Sequence, residues 1–270
     1  MVWELVVLIG LVIGSVTDIV RREVPDMLNY SLLAIGFLLA LLYSYNTYSF
    51  TPLLNASFGF IVAYIISMIL FKTGQWGGGD TKMLWGIGAL AGFSLAELPF
   101  PFLLIFLVYS MIAGAVYGFL WLIYLAIKHR LKFLKEFKEL KSKKSIKYLR
   151  YSYLAFGALI LIYIAFFNPV FEIMVLLFLL LAISIITLYS FLFVKAVESK
   201  CLVKNTKVED LVPGDWITND FKVNGKKFEC EKIGVTEEQI AYLKKHKIKF
   251  VETTEGIPFV PAFLLAFLII

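Results

Sequence analysis

Long runs of apolar residues constrain this chain more than any other feature. The hydrocarbon core of a bilayer is about 30 Å thick, and a helix needs roughly 20 apolar residues to cross it. Six runs approach that length, and a seventh, 83–97, is shorter. In chain order the runs are 3–20, 28–45, 52–71, 83–97, 102–127, 149–167 and 173–194. Because 60% of the 270 residues are hydrophobic, the composition indicates a polytopic membrane protein rather than a soluble domain.

The basic residues indicate how the chain crosses the membrane. All 26 lysines and arginines lie in the polar stretches that follow the first, third, fifth and seventh runs. The connections 45–51, 97–101 and 168–172 contain none. Because basic connections stay in the cytoplasm, we expect seven crossings of the cytoplasmic membrane with the N-terminus outside. This placement explains the net charge of +6, so we expect the lipid bilayer and not nucleic acid as the partner of these charges.

The runs predict five regions along the chain. Residues 1–127 would form transmembrane helices one to five, 128–148 a basic amphipathic cytoplasmic loop, 149–195 helices six and seven, 196–256 a small cytoplasmic domain, and 257–270 a half-inserted hydrophobic tail. The predicted fold class is an all-α polytopic membrane protein of about seven transmembrane helices with a small α+β cytoplasmic module near its C-terminus.

Two of these polar regions carry local structural signals. In 128–150, lysines alternate with apolar residues, a pattern that fits either a helix on the anionic inner leaflet or a solvated connector. In the C-terminal module, Asn224-Gly225 is typical of a hairpin turn. Thr236 and Gln239 have capping-box spacing for a helix that runs to about Lys245, and 248–251 is a candidate last strand.

The cysteine content gives no sign of a metal centre. The two cysteines, Cys201 and Cys230, lie in the polar C-terminal region without accompanying histidine or cysteine ligands at metal-binding spacing. We expect free thiols, no metal and no cofactor.

Two carboxylates stand out against the apolar background. Asp80 follows three glycines at the mouth of a membrane helix, and Asp18 closes the first apolar run. Carboxylates at membrane depth are costly and usually functional. Both lie at the same cytoplasmic depth in the predicted topology, so they can share a proton, with one member ionised and the other protonated. The charged member can take a proton from water while the neutral one polarises a peptide carbonyl, as in aspartyl proteases.

Other interpretations of these carboxylates stay open at this point. Asp80 can cap the fourth helix, and Asp18 can pair with Arg21 or Arg22. A transporter or ion channel would also place carboxylates at membrane depth. The chain lacks the inverted repeats with interrupted helices that transporters usually show, because its glycines cluster in 74–92.

The residues around both aspartates resemble a known family. Gly77-Gly78-Gly79-Asp80 fits a GxGD signature with Lys82 two positions on, and Asp18 is followed by basic residues and Val24-Pro25-Asp26. Over roughly residues 10–95 the chain resembles the archaeal preflagellin/prepilin peptidases, which are GxGD-type membrane aspartyl proteases.

That resemblance implies an active site and a substrate. The catalytic pair would be Asp18 and Asp80, with Gly77, Gly79 and Lys82 in the active-site loop at the cytoplasmic face. The substrates would be prepilin or preflagellin (archaellin) precursors, cut between a basic leader and a hydrophobic helix. The acidic Glu23 and Asp26 are candidate contacts for that leader.

Two further expectations concern the glycines and the tail. Gly77 and Gly79 should be less replaceable than Gly78, with a positive φ at Gly79 as one physical reason. Pro261-Ala262-Phe263 resembles the Pro-Ala-Leu motif of presenilin-type GxGD proteases, with Phe in place of Leu, and we assign it no role from the sequence.

Overall fold

The computed structural model describes residues 2–94, 101–167, 170–218, 221–223, 226–228 and 234–270. The α-helices are α1 (Val2–Arg21), α2 (Asp26–Thr47), α3 (Thr51–Lys72), α4 (Gly78–Ala91), α5 (Phe102–Lys128), α6 (Arg130–Ser142), α7 (Lys144–Phe167), α8 (Phe171–Lys200), α9 (Glu237–Lys245) and α10 (Val260–Ile269). The strands are β1 (Val203–Lys207), β2 (Trp216–Ile217), β3 (Phe221–Val223), β4 (Lys226–Phe228) and β5 (Phe250–Thr254). The predicted fold class, a helical membrane protein with a small α+β module near its C-terminus, is confirmed.

Six helices within the described residues are long and apolar enough to cross a membrane: α1, α2, α3, α5, α7 and α8. Helix α4 has 14 residues, which at 1.5 Å per residue gives about 21 Å, less than the hydrocarbon core of about 30 Å. It begins at Gly78, earlier than the predicted run 83–97, and ends at Ala91. Residues 95–97 of that run lie outside the described part. The count of seven crossings therefore stays a prediction.

The chain divides into two compact units. One contains Met1–Trp121 together with Lys204–Ile270, and the other contains Leu122–Val203. Both predicted catalytic aspartates, the C-terminal module and α10 thus belong to the same unit, although about eighty residues of chain separate its two parts. The five predicted regions do not correspond one to one with these units.

Small residues bring α4 close to α2 and α3. A β-carbon at Gly59 of α3 would overlap the carbonyl oxygen of Gly88 in α4, and one at Gly36 of α2 would lie 3.0 Å from the backbone of Ala89. Without a hydrophobic driving force between helices in lipid, such small residues permit the close backbone contact that stabilises packing. These contacts fix α4, and with it Asp80, against its neighbours.

The C-terminal tail forms a short helix that packs against α1. Helix α10 has 10 residues, a length of about 15 Å, so it cannot span a bilayer by itself. Its Val260, Phe263 and Ala266 are buried in one apolar cluster with Val7 and Leu11 of α1. The tail is therefore part of the packed core of its unit.

The C-terminal module combines a three-stranded sheet, a hairpin and one helix. The sheet has the order β1-β5-β2, and β3 pairs with β4 in an antiparallel hairpin, as predicted; its turn, Asn224-Gly225, lies outside the described residues. Thr236 accepts a hydrogen bond from the Gln239 backbone N–H, 3.3 Å away, at the start of α9. The predicted capping box is confirmed.

The strand prediction for the module was partly wrong. The last strand was expected at 248–251 but occupies Phe250–Thr254, and β1 was not predicted at all. In β5 the buried positions are Val251 and Thr253. One of the two side chains on the buried face of the strand is therefore polar. A sequence pattern of apolar alternation does not detect such a strand.

The second unit contains the basic segment 128–148, much of which forms helix α6. The apolar side of α6 packs on α8 through Leu140, which contacts Leu188 and Leu192, and Phe133 packs at 5.5 Å from the ring of Phe193. Cys201, at the end of α8, is a free and buried thiol as predicted, and burial raises its pKa. Cys230 lies outside the described residues.

Candidate active site

Asp18 lies in the last turn of α1 and is almost entirely buried, with 6% of its surface exposed. Its Oδ2 atom accepts a hydrogen bond of 3.0 Å from the backbone N–H of Val260, the first residue of α10. The predicted alternative, in which Asp18 pairs with Arg21 or Arg22, holds only in that the Arg22 charge acts on Asp18; the hydrogen bond to the carboxylate comes from Val260. Arg22 instead donates to the carbonyl oxygen of Gly256 at 3.3 Å and stacks over the Trp121 ring at 4.7 Å.

Asp80 lies in the first turn of α4 rather than in a loop before it. The helix begins at Gly78 because two contacts close its first turn. The Asp80 Oδ2 atom accepts a hydrogen bond of 3.1 Å from the Gly77 N–H, and the Thr81 hydroxyl donates to the Gly77 carbonyl at 2.9 Å. Asp80 therefore also caps α4, so the capping interpretation and the dyad interpretation apply to the same side chain.

The structure brings the two aspartates together. Helix α1 contacts α4, and the charge of Asp18 acts on Asp80. Asp18 is buried, whereas Asp80 is only partly buried. Two neighbouring carboxylates that are both withdrawn from water repel each other when both are ionised, so a pair that shares one proton is less costly. This arrangement provides one group that can accept a proton and one that can donate it.

The glycines before Asp80 differ in their surroundings. A β-carbon at Gly79 would lie 3.2 Å from Cβ of Val24, whereas one at Gly78 would meet nothing within 4 Å. The suggested positive φ at Gly79 was wrong, because Gly79 is helical and the positive-φ glycines are elsewhere. Gly77 is extended, with φ −77° and ψ 167°. The predicted order, with Gly79 less replaceable than Gly78, therefore rests on packing against Val24 and not on backbone strain.

Three further charged residues were predicted for the site, and two of them, Lys82 and Asp26, form an ion pair. The Lys82 Nζ atom lies 2.6 Å from Asp26 Oδ1, and the ammonium also lies 5.6 Å from the ring of Tyr30. Asp26, which the sequence suggested as a contact for a basic leader, is therefore already paired with a residue of the same site. Glu23 is exposed.

The sequence did not single out several residues that contact the site. Asn29 of α2 is buried and its Nδ2 donates to the Gly79 carbonyl at 3.4 Å. Trp76 packs at 5.3 Å from both Phe259 and Phe263. Asn29 could have been noticed in the sequence because it is a polar residue in a mostly apolar helix. The resemblance of 261–263 to a protease motif was the signal for the tail.

No group of three histidine, cysteine, aspartate or glutamate side chains that could hold a metal ion occurs among the residues that the structure describes. Together, the fold and the site define a class: a multi-pass helical membrane protein with one aspartate in the last turn of α1 and another in the first turn of α4, on helices that contact each other.

Comparison with known protein families gives a match over the part of the chain that carries both aspartates. Residues 5–119 match a model of the type IV leader peptidase family, and this region contains both Asp18 and Asp80. The resemblance to the archaeal preflagellin/prepilin peptidases is therefore confirmed for the part of the chain that carries the two motifs.

Individual relatives agree with the family match. The chain is 40% identical over 83 residues to the preflagellin peptidase of Methanococcus voltae, covering 31% of this chain and 35% of that protein. It is 39% identical over 82 residues to that of Methanococcus maripaludis, covering 30% and 35%. For the preflagellin peptidase of Methanocaldococcus jannaschii the identity is 33% over 82 residues, again 30% and 35%. The matched part thus spans about a third of the length of these relatives.

Proposed function

We propose that this protein is a membrane aspartyl endopeptidase that removes the basic leader from preflagellin or prepilin precursors. One observation carries the proposal: Asp18 and Asp80 lie on two helices that contact each other, and both fall within the region that matches the leader peptidase family. The names of the relatives favour this reading over a transporter or ion channel.

The proposed reaction uses one ionised and one protonated carboxyl group in the Asp18–Asp80 pair. The ionised carboxylate takes a proton from a water molecule, whose oxygen attacks the carbon of the scissile carbonyl. The protonated carboxyl gives its proton to the carbonyl oxygen, which produces a neutral gem-diol. When the C–N bond breaks, the first carboxyl returns its proton to the leaving nitrogen and the second takes one from a hydroxyl. Both groups are thereby reset without a covalent intermediate or a cofactor.

The position of the pair suggests how a precursor is held. A precursor anchored by its apolar helix presents the junction with its basic leader at the membrane surface, where α1 ends and α4 begins. In our proposal this surface is cytoplasmic and the chain's N-terminus is outside, as the distribution of basic residues predicts. Of the two acidic residues suggested for the leader, Glu23 is the more available, because Asp26 is paired with Lys82.

The orientation has its own test. In sealed cells, a membrane-impermeant amine reagent should label none of the lysines, because all 26 basic side chains are assigned to the cytoplasmic side. Permeabilised cells provide the positive control. Labelling within 128–150 from outside would overturn the orientation and the cytoplasmic placement of the site.

The proposed activity is tested with the full-length protein in detergent micelles or liposomes. It is incubated with a preflagellin and, separately, a prepilin precursor, and loss of the leader is followed by mass spectrometry. The wild type should cut at the leader junction, and Asp18→Asn and Asp80→Asn should each reduce the rate at least 10³-fold, in the range of losses for other essential catalytic groups. Near-normal turnover by either folded variant would remove that residue from the mechanism. A wild type that cuts neither precursor would refute the proposed function.

A further inference from the structure

The residue that holds Asp18 comes from the opposite end of the chain. The Val260 N–H donates to Asp18 Oδ2 at 3.0 Å, across a separation of 242 positions in sequence, and both residues are buried. The backbone of Phe259 adds a second, weaker interaction with the same carboxylate. The first N–H groups of a helix have no partner within the helix and carry partial positive charge. The carboxylate of Asp18 therefore faces the positive end of α10.

Two glycines make room for this contact. A β-carbon at Gly114 of α5 would overlap the ring of Phe259, and one at Gly14 of α1 would lie 3.2 Å from Cγ1 of Val260. The Phe259 ring also packs against Trp76, directly before the Gly77–Asp80 stretch, at 5.3 Å. The start of α10 is thus fitted into a space bounded by α1, α5 and the residue that precedes the second catalytic segment.

A second tie holds the chain just before α10. The Arg22 side chain donates to the Gly256 carbonyl at 3.3 Å, while its backbone N–H donates to the carbonyl of Asp18 at 3.0 Å. Arg22 adopts the left-handed conformation that ends α1, with φ 61°. Its guanidinium therefore neighbours Asp18 and anchors the segment that leads into α10.

The surroundings of the two aspartates are unequal. Burial disfavours the charged form of Asp18, and the N–H groups at the start of α10 and the Arg22 guanidinium oppose that effect. The Tyr117 phenol of α5 and Asp80 are themselves affected by the charge of Asp18. Asp80 also lies at the positive end of a helix, because it accepts a hydrogen bond from the Gly77 N–H in the first turn of α4. Within the described residues, however, the charged group that acts on Asp80 is the anionic Asp18 and not a cation. Hydrogen bonds from N–H groups to a carboxylate are stronger when it is ionised, and a nearby cation favours the same state.

We propose that α10 is part of the active site, in which the Val260 N–H is a positioning group that holds Asp18 as the ionised member of the pair. Asp18 is then the base that takes the proton from water, and Asp80 is the acid that protonates the scissile carbonyl oxygen. This inference rests on the proposed function and adds to it the assignment of roles and the requirement for the C-terminal helix.

The direct test removes the donor atom. Val260→Pro lacks the N–H, whereas Val260→Ala keeps it and loses only side-chain packing. Without the donor, the ionised form of Asp18 is less stable, so the acidic limb of the pH–rate profile for precursor cleavage should move upward by about one pH unit. At a pH on this limb the rate should fall on the order of tenfold, and the loss should shrink towards the pH optimum. In Val260→Ala the limb should stay in its wild-type position. Equal limbs in the two variants would overturn the proposal.

Proline disfavours the helical conformation of the residue before it, so Val260→Pro can fail to fold. A second pair of variants decides the question in that case. Phe259→Ala removes the ring that seats the start of α10, and Leu265→Ala changes an exposed position of the same helix. The first should move the acidic limb upward and the second should not. A Phe259→Ala protein that is only less stable, with an unmoved limb, would overturn the proposal. In either case cleavage by the wild type leaves the proposed function intact, so the two ideas fail separately.

Discussion

Replacing Gly79 by alanine tests whether close packing beside Asp80 sets the geometry of the site. The added β-carbon would lie 3.2 Å from Cβ of Val24, 3.3 Å from its Cγ2 and 3.4 Å from its backbone nitrogen. Ordinary carbon–carbon contact is about 3.5–4.0 Å, so the first turn of α4 and Val24 must separate by a few tenths of an ångström. Val24 is buried and one of its contacting atoms is backbone, so it has little freedom to move away.

The size of the effect follows from that displacement. A misplacement of about 1 Å costs on the order of a hundredfold in rate, so a shift of a few tenths should cost roughly three- to tenfold. Gly78→Ala is the matched control, because its β-carbon meets nothing within 4 Å and alanine favours the helix by up to about 1 kcal/mol at either position. We therefore expect Gly78→Ala to stay within about twofold of the wild type.

The assay is a time course of precursor processing by both variants, prepared at equal amounts of folded protein. Larger residues provide a graded series: Gly79→Val should be slower than Gly79→Ala, while Gly78→Val should remain close to Gly78→Ala. If Gly79→Ala and Gly78→Ala process the precursor at the same rate, the contact with Val24 does not position Asp80 and the packing argument is wrong.

Two further predictions concern packing and charge. Gly59→Ala should destabilise the protein by about 1–3 kcal/mol, because its β-carbon would overlap the Gly88 carbonyl oxygen, whereas Gly118→Ala, with nothing within 4 Å, should not; thermal unfolding in detergent compares them, and equal melting temperatures would contradict the tight α3–α4 contact. Lys82→Ala and Asp26→Ala should each cost less than about 1 kcal/mol, because Asp26 is exposed and the pair is accessible to solvent on that side; a double-mutant cycle of unfolding would contradict this if its coupling energy exceeded about 2 kcal/mol.

The six long apolar helices α1, α2, α3, α5, α7 and α8 could be predicted from the sequence, because a chain segment buried in lipid must form a hydrogen-bonded helix. The start of α4 could not, since three consecutive glycines disfavour a helix. The helix begins at Gly78 because contacts to Gly77 from Asp80 and Thr81 close its first turn. The sequence does not predict these two contacts, because they depend on the positions of the Asp80 and Thr81 side chains in the folded protein.

The two aspartates could be found by their type and position, since carboxylates are rare at membrane depth. Their partners could not. Val260 contributes through its backbone N–H, which every residue except proline carries, so no side-chain pattern marks it. Val260 and Asp18 are 242 positions apart in the sequence. Neither hydrophobic periodicity nor motif spacing predicts a contact between residues so far apart.

The bond between Asp18 and Val260 also links the site to stability. Among the first residues of α10, Pro261 has no N–H and the Ala262 N–H donates to the Phe259 carbonyl at 2.9 Å. The Val260 N–H therefore depends on Asp18, and Val260 is fully buried. Asp18→Asn and Asp18→Ala both remove the charge, but only asparagine keeps an oxygen that can accept this bond.

We therefore expect both substitutions at Asp18 to abolish cleavage while they differ in stability. A buried donor left without a partner costs about 1–3 kcal/mol, so the alanine variant should unfold at a lower temperature, by about 2–4 °C per kcal/mol for a chain of this size. Limited proteolysis of the tail should show the same order, because α10 is the element that loses its contact. If the two variants unfold at the same temperature and their tails are equally protected, the Val260 N–H does not depend on the carboxylate, and α10 is held by its apolar contacts alone.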